Sequence, residues 1–168
     1  SLSFTAAYFD SEQTVATRDS VTGETNEIVG LQVDGFELEV KGKVTDKMNV
    51  VFGYTSMDGK TSSGGEPREI PDTMLSLFAT YEVSDKFGWA LGMTKQGESN
   101  ISNNKPGLVL PEYTRVDLGA YYQIADDLSV QMNIENLTDE LYFPHSHSTH
   151  QASVGEPFNM RISIRKTF

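Results

Sequence analysis

Apolar and polar residues alternate with a period of two through eight stretches of this chain. Leu2, Phe4, Ala6 and Tyr8 share one face of the first stretch, with Ser3, Thr5 and Ala7 on the other. Phe36, Leu38 and Val40 oppose Glu37, Glu39 and Lys41 in the second; Leu31 and Val33 run out of phase with that face, which predicts a bulge at Asp34-Gly35. Met48, Val50, Phe52 and Tyr54 form the third apolar face, and Leu75, Leu77, Ala79, Tyr81 and Val83 the fourth. In the fifth, Phe87, Trp89, Leu91 and Met93 alternate with Gly88, Ala90 and Gly92, a face with room for something bulky. The sixth sets Val116, Leu118, Ala120, Tyr122 and Ile124 against Arg115, Asp117, Gly119 and Tyr121. Leu128, Val130, Met132 and Ile134 make the seventh face, and Phe158, Met160, Ile162 and Ile164 the eighth. Mid-strand charge falls on the second face throughout, so each strand is built for two different solvents.

The connections alternate as strictly as the side chains. After the second, fourth and sixth stretches the chain turns tightly at Thr45-Asp46-Lys47, Ser84-Asp85-Lys86 and Ala125-Asp126-Asp127, each with the Asp that tight turns favour. After the others it runs for roughly 17 to 21 residues before the next stretch, well beyond a hairpin loop. Aromatics gather at both ends: Tyr8, Tyr54, Tyr113, Tyr142 and Phe143 towards the long loops, Tyr81, Phe87, Trp89, Tyr122 and Phe168 towards the turns. Alternation alone leaves open a soluble sandwich or lipocalin-like barrel with its apolar face inside. Loop parity, two aromatic girdles and the final Phe168 favour an all-β, antiparallel, up-and-down transmembrane β-barrel segment of about eight strands. Its short turns are then periplasmic, its long loops extracellular, and Phe168 a carboxy-terminal membrane-assembly signal.

Composition narrows the classes. With 38% apolar residues and a mean hydropathy of -0.37, the chain has no run near the roughly 18 apolar residues of a spanning helix, but a spanning strand needs none. The absence of cysteine removes disulfide frameworks and thiolate metal sites. A net charge of -11 argues against nucleic acid as a partner. Ser1-Leu2-Ser3-Phe4 offers neither signal peptide nor initiating Met, which predicts a mature or cut fragment.

Several strings then carry a resemblance. VDGFELEVKGKVTDKMNVVFGYTSMDG, LPEYTRVDLGAYYQI, NIENLTDELYF and VGEPFNMRISIRKTF together resemble the barrel of TonB-dependent outer-membrane receptors, in the siderophore-receptor branch. The resemblance spans nearly the whole chain. It implies a bacterial outer-membrane location, contact with outer-membrane lipid, and a parent receptor that imports ferric siderophores or similar iron chelates with energy passed on by TonB. It departs at Phe158, where the branch carries Arg after Gly-Glu-Pro. Such receptors have about 22 strands and an amino-terminal plug. Residues 1-168 therefore correspond to a carboxy-terminal barrel portion without a plug, and TonB would be met through a missing amino-terminal region. No cofactor is expected.

Candidate chemistry is sparse. His145, His147 and His150, with Tyr142, lie in the long loop before the last strand; they are candidates to touch a ferric chelate, against the plainer reading of a solvated loop. Glu37 and Glu39 stand two apart on one strand face, a spacing that brings glycoside hydrolysis to mind. They read more simply as lumen-facing charges, as do Arg115, Asp117, Glu135, Arg161 and Arg165. Asn136-Leu137-Thr138 fits a glycosylation sequon but sits inside the NLTDE element and is discounted. Ser62-Ser63-Gly64-Gly65 lacks the lysine of a phosphate loop. No catalytic constellation and no metal site is legible, so no enzyme is expected. The other reading is a self-contained eight-stranded barrel or a soluble all-β binding module, structural or adhesive in role.

Overall fold

The structure, a computed structural model, describes residues 1–103 and 107–168. Its strands in chain order are β1 (Leu2–Arg18), β2 (Thr25–Thr45), β3 (Met48–Thr61), β4 (Thr73–Ser84), β5 (Phe87–Gln96), β6 (Ser99–Asn100), β7 (Val109–Leu110), β8 (Tyr113–Ala125), β9 (Leu128–Glu135), β10 (His145–Ser146), β11 (Ala152–Ser153) and β12 (Asn159–Lys166). The eight long ones form one antiparallel sheet in the order β1-β2-β3-β4-β5-β8-β9-β12, each beside its sequence neighbour in the meander. Among the described residues β1 and β12 do not pair, so the sheet is open. The self-closing eight-stranded barrel is thereby set aside.

Register confirms the two faces. Val40, Phe52, Leu77, Met93 and Val116 pair in sequence across five strands, and Val50, Ala79, Leu91, Leu118, Ile134 and Met160 do so one row below. Among the described residues nothing covers this apolar face. Phe4 is 69% exposed and Ile164 72%, while among the described residues only Ala79, Leu110, Tyr113 and Tyr142 are buried hydrophobics. A soluble sandwich buries such a face against a second layer. A single sheet with a bare apolar face and a polar one matches a wall between lipid and water. The polar face holds a concavity of about 620 Å³ lined by Phe78, Thr80, Arg115, Asp117, Tyr121 and Gln131 among others. Gly88 allows the Tyr121 ring to lie across β5, since a Cβ there would come within 2.6 Å of the ring.

At the turn end, Tyr81 packs on Trp89 at 5.7 Å between centroids and Phe87 meets Tyr122 edge-on at 6.4 Å, the expected lower girdle. The three tight turns share one construction. Val44, Val83 and Ile124 are each skipped by the register immediately before the turn, an extra residue that re-aims the strand end. The hydroxyl oxygens of Thr45 and Ser84 then accept from the amides of Lys47 and Lys86, both at 3.3 Å. Ala125 has no hydroxyl, and there Gln123 Nε2 donates to its carbonyl at 2.6 Å instead.

Two expectations are corrected here. The first long connection is largely strand: β1 and β2 stay paired to Arg18↔Thr25, and the turn is closed by Asp19, whose Oδ1 accepts from the amides of Val21 and Thr22 at 2.7 and 3.0 Å. At 21 residues β2 is about 70 Å long, far more than the 9 to 11 residues or so that cross a bilayer. Beyond the length a spanning strand needs, the rule of one apolar face lapses, which is why the sequence pattern fades there. The bulge, likewise, lies at Gly30 and not at Asp34-Gly35: the β1–β2 register slips opposite Gln13/Thr14, whereas Asp34 and Gly35 pair in step on both sides.

Candidate functional site

The long connections on one edge of the sheet carry the two built clusters of the molecule. The lower cluster is set where β8 and β9 meet the loop that leads to β12. Arg115 Nε donates to Asp117 Oδ1 at 2.8 Å along one strand face, its Nη2 lies 3.8 Å from Glu135, and its Nη1 donates to the Tyr142 hydroxyl at 3.2 Å. The Tyr142 ring stacks on Tyr113 at 4.6 Å, with Gly155 against its face. Asp117 Oδ1 also accepts from the amide of Asn136 at 2.8 Å.

Asn136 is fully buried, at 0% exposure. Its backbone is left-handed (φ 51), a conformation Asn tolerates better than most residues. The side chain donates to the carbonyls of Glu140 and Glu156, both at 2.9 Å, and accepts from the Glu140 amide at 2.9 Å. It thus holds both ends of the loop. Asp139, left-handed as well, accepts from the Phe158 amide at 2.9 Å where the chain re-enters the sheet.

The upper cluster gathers three connections around Glu69. Its Oε1 accepts from the Ser146 amide at 2.7 Å, its Oε2 from Arg68 Nη2 at 3.0 Å, and its own amide donates to the Asn100 carbonyl at 2.8 Å. Asn100 in turn donates to Glu66 at 2.6 Å. Burial alone would push the Glu69 carboxyl up, but the Ser146 amide, Arg68 and His145 outweigh it and hold it below the usual glutamate range.

The residues singled out from the sequence divide between these clusters and open surface. Arg115, Asp117 and Glu135 come together as described. Glu39 pairs with Lys41 on its own strand at 2.7 Å rather than with a neighbouring strand, and Glu37, Arg161 and Arg165 have no ion-pair partner among the described residues. Tyr142 and Tyr113, expected in the upper girdle, instead point to the polar face and are 6% and 8% exposed. His145 is exposed on β10, its Nε2 2.9 Å from Ser153 Oγ; His147 precedes a short 3-10 turn and His150 ends it, their rings 5.4 Å apart. Phe168 is fully exposed with Lys166 Nζ 5.8 Å from its ring centre. Among the described residues no group of three His, Asp or Glu is placed to hold a metal ion.

Residues 1–137 match the family model described as TonB dependent receptor-like, beta-barrel. The chain belongs to that family. Its members are outer-membrane β-barrel proteins, in which the short turns are periplasmic and the long loops extracellular. The chain is 30% identical to the probable TonB-dependent siderophore receptor PiuA of Acinetobacter baumannii over 92% of its own length and 23% of that protein. It is 32% identical to the ferripyoverdine receptor of Pseudomonas aeruginosa, over 80% of its length and 18% of the receptor. The crystal structure of that receptor bound to ferripyoverdine superposes with a TM-score of 0.80 at 27% identity, covering 98% of this chain and 25% of the receptor. The chain spans about a quarter of the length of the curated relatives it matches.

Within this TonB-dependent receptor barrel, two residues that organise the outer side escaped sequence reading. Asn136 had a signal, an Asn at a strand end with an Asp three residues on, but the sequon match obscured it. Glu69 had none, because its main partner Ser146 is 77 positions away.

Proposed function

We propose that residues 1–168 form a carboxy-terminal portion of the barrel of an outer-membrane receptor that imports a ferric siderophore or a similar iron chelate, powered through TonB. The chain supplies wall and extracellular loops, and has no catalytic role. The observation that carries this is the sheet itself: one apolar face, one charged face and loops tied together on the outer edge, in a chain related throughout to proteins named as receptors of siderophores. Outer-membrane lipid is the partner of the apolar face, and nucleic acid is none. His145, His147 and His150 stand exposed on the outer loop, where imidazole nitrogens can meet an arriving chelate. Tyr142 takes part from below by fixing the loop's base through Arg115. Glu37, Arg161 and Arg165 face the lumen.

Radioiron uptake tests the proposal. A strain deleted for the full-length receptor is complemented with the wild type or with His145→Ala, His147→Ala and His150→Ala combined, and assayed with a panel of ferric siderophores. TonB-dependent uptake of at least one chelate by the wild type, weakened in the triple variant, is expected. Uptake indifferent to the receptor for every chelate would overturn the reading.

A further inference from the structure

Apart from Asn136, the buried polar side chains among the described residues belong to the upper part of the outer loops. Asn100 (7% exposed) and Ser146 (4%) are both bonded to Glu69, and Ser99 (4%) lies beside Asn100 on β6. Glu69 comes from the loop between β3 and β4, Ser99 and Asn100 form β6 beyond β5, and Ser146 ends β10 in the loop between β9 and β12. Arg68 makes an isolated bridge to Asn100, and its amide donates to Asn103 Oδ1 at 2.6 Å. Glu69 itself adopts a left-handed backbone (φ 58), uncommon for a residue of its kind and retained only where surrounding bonds demand it.

The β10–β11 hairpin is slight: two residue pairs, His145↔Ser153 and Ser146↔Ala152, around a turn that carries His147 and His150. Two pairs cannot hold a hairpin in water by themselves. Among the described residues, what ties this strap to the body of the loops is the Glu69 carboxylate, through the Ser146 amide at 2.7 Å and the Ser146 hydroxyl at 3.5 Å. Release of that one carboxylate frees the hairpin while leaving the base of the loop, clamped by Asn136, in place.

We propose that Glu69 is a latch and a positioning residue: it holds the histidine-bearing strap against the β3–β4 and β5–β8 loops, and so sets where those imidazoles stand on the extracellular face. The latch stands on the structure alone; its consequence for an iron chelate rests on the receptor reading above.

Amide hydrogen exchange on the full-length receptor in detergent separates the two. Glu69→Asn keeps a residue suited to the left-handed backbone but cannot reach Ser146; Glu69→Gln keeps an acceptor oxygen and loses the charge. In Glu69→Asn, exchange at Ser146 and through residues 145–153 should rise at least about tenfold, with β8 and β9 unchanged, because a local opening now costs less. Glu69→Gln should restore much of the protection. Wild-type exchange at Ser146 in Glu69→Asn overturns the latch, whatever uptake does. In radioiron uptake Glu69→Asn should raise the half-saturating chelate concentration with the maximal rate unchanged. Fast exchange with unaltered uptake kinetics overturns the positioning role. Absence of uptake by the wild type overturns the receptor reading and leaves the latch to the exchange result.

Discussion

Gly155 lies so close to the ring of Tyr142 that a Cβ at residue 155 would fall inside contact distance of the ring. The Gly155 amide donates to the Tyr142 carbonyl at 2.8 Å, so the two backbones are bonded as well as packed. Gly155→Ala should force the ring off Tyr113 and cost about 1–3 kcal/mol, as overpacking does. Tyr142→Phe keeps the stack and loses only the bond from Arg115, at about 1 kcal/mol. Thermal unfolding of the full-length receptor ranks the two, and a Gly155→Ala protein that melts with the wild type would show the contact to be slack.

Asn136 satisfies three backbone groups at once, on Glu140 and Glu156. Asn136→Asp keeps the left-handed backbone and the bond from the Glu140 amide but turns a double donor into a carboxylate facing two carbonyls. Each buried group left without a partner costs about 1–3 kcal/mol. Both Asn136→Asp and Asn136→Ala should therefore loosen both ends of the loop, read as faster protease cleavage between residues 137 and 158. Cleavage at the wild-type rate in both variants would remove Asn136 from the role of clamp.

These two sites mark where the sequence was and was not legible. Where the strands alternate, each position takes one of two faces, so Met48 to Tyr54 or Leu128 to Ile134 announce their strand and their faces residue by residue. Beyond those stretches that constraint is gone. Asp10, Glu12 and Gln13 continue β1 with no apolar stripe, and a 17-residue strand read as half strand and half loop. Side-chain clamps leave even less trace: Glu69 and Ser146 are joined only by the folded loops, and neither residue type at its position predicts the other. Tyr142 was legible as an aromatic near the outer edge. Its face was not, because it lies in a loop where alternation has no meaning.

Met132 and Gln131 are neighbours on β9 with opposite surroundings. Met132 pairs with Ala120 and Ile162 on the apolar face, while Gln131 pairs with Tyr121 and Ser163 on the polar one. Met132→Arg puts a charge into lipid and should destabilise the folded receptor by about 2–4 kcal/mol if it lies near the bilayer midplane. Gln131→Arg places the same charge in the lumen, where little change is expected. Urea titration in lipid vesicles compares them. A reversed order would mean that the faces are exchanged.

The Glu69 latch also sets a pH limit. Its carboxyl is held below the ordinary glutamate value of about 4.3, so its contribution is complete above that value and is lost as pH falls through the lower, folded one. The groups facing it are the Ser146 amide and His145 from β10 and Arg68 from its own loop, all of which favour the charged form. Exchange at Ser146, corrected for the intrinsic pH dependence of amide exchange, should stay protected at about pH 5 and give way only in more acid solution. Glu69→Gln has no carboxyl to protonate, and its Ser146 protection should be flat across the same range. Loss of wild-type protection already near pH 6, in step with histidine rather than carboxylate titration, would assign the latch to His145 instead.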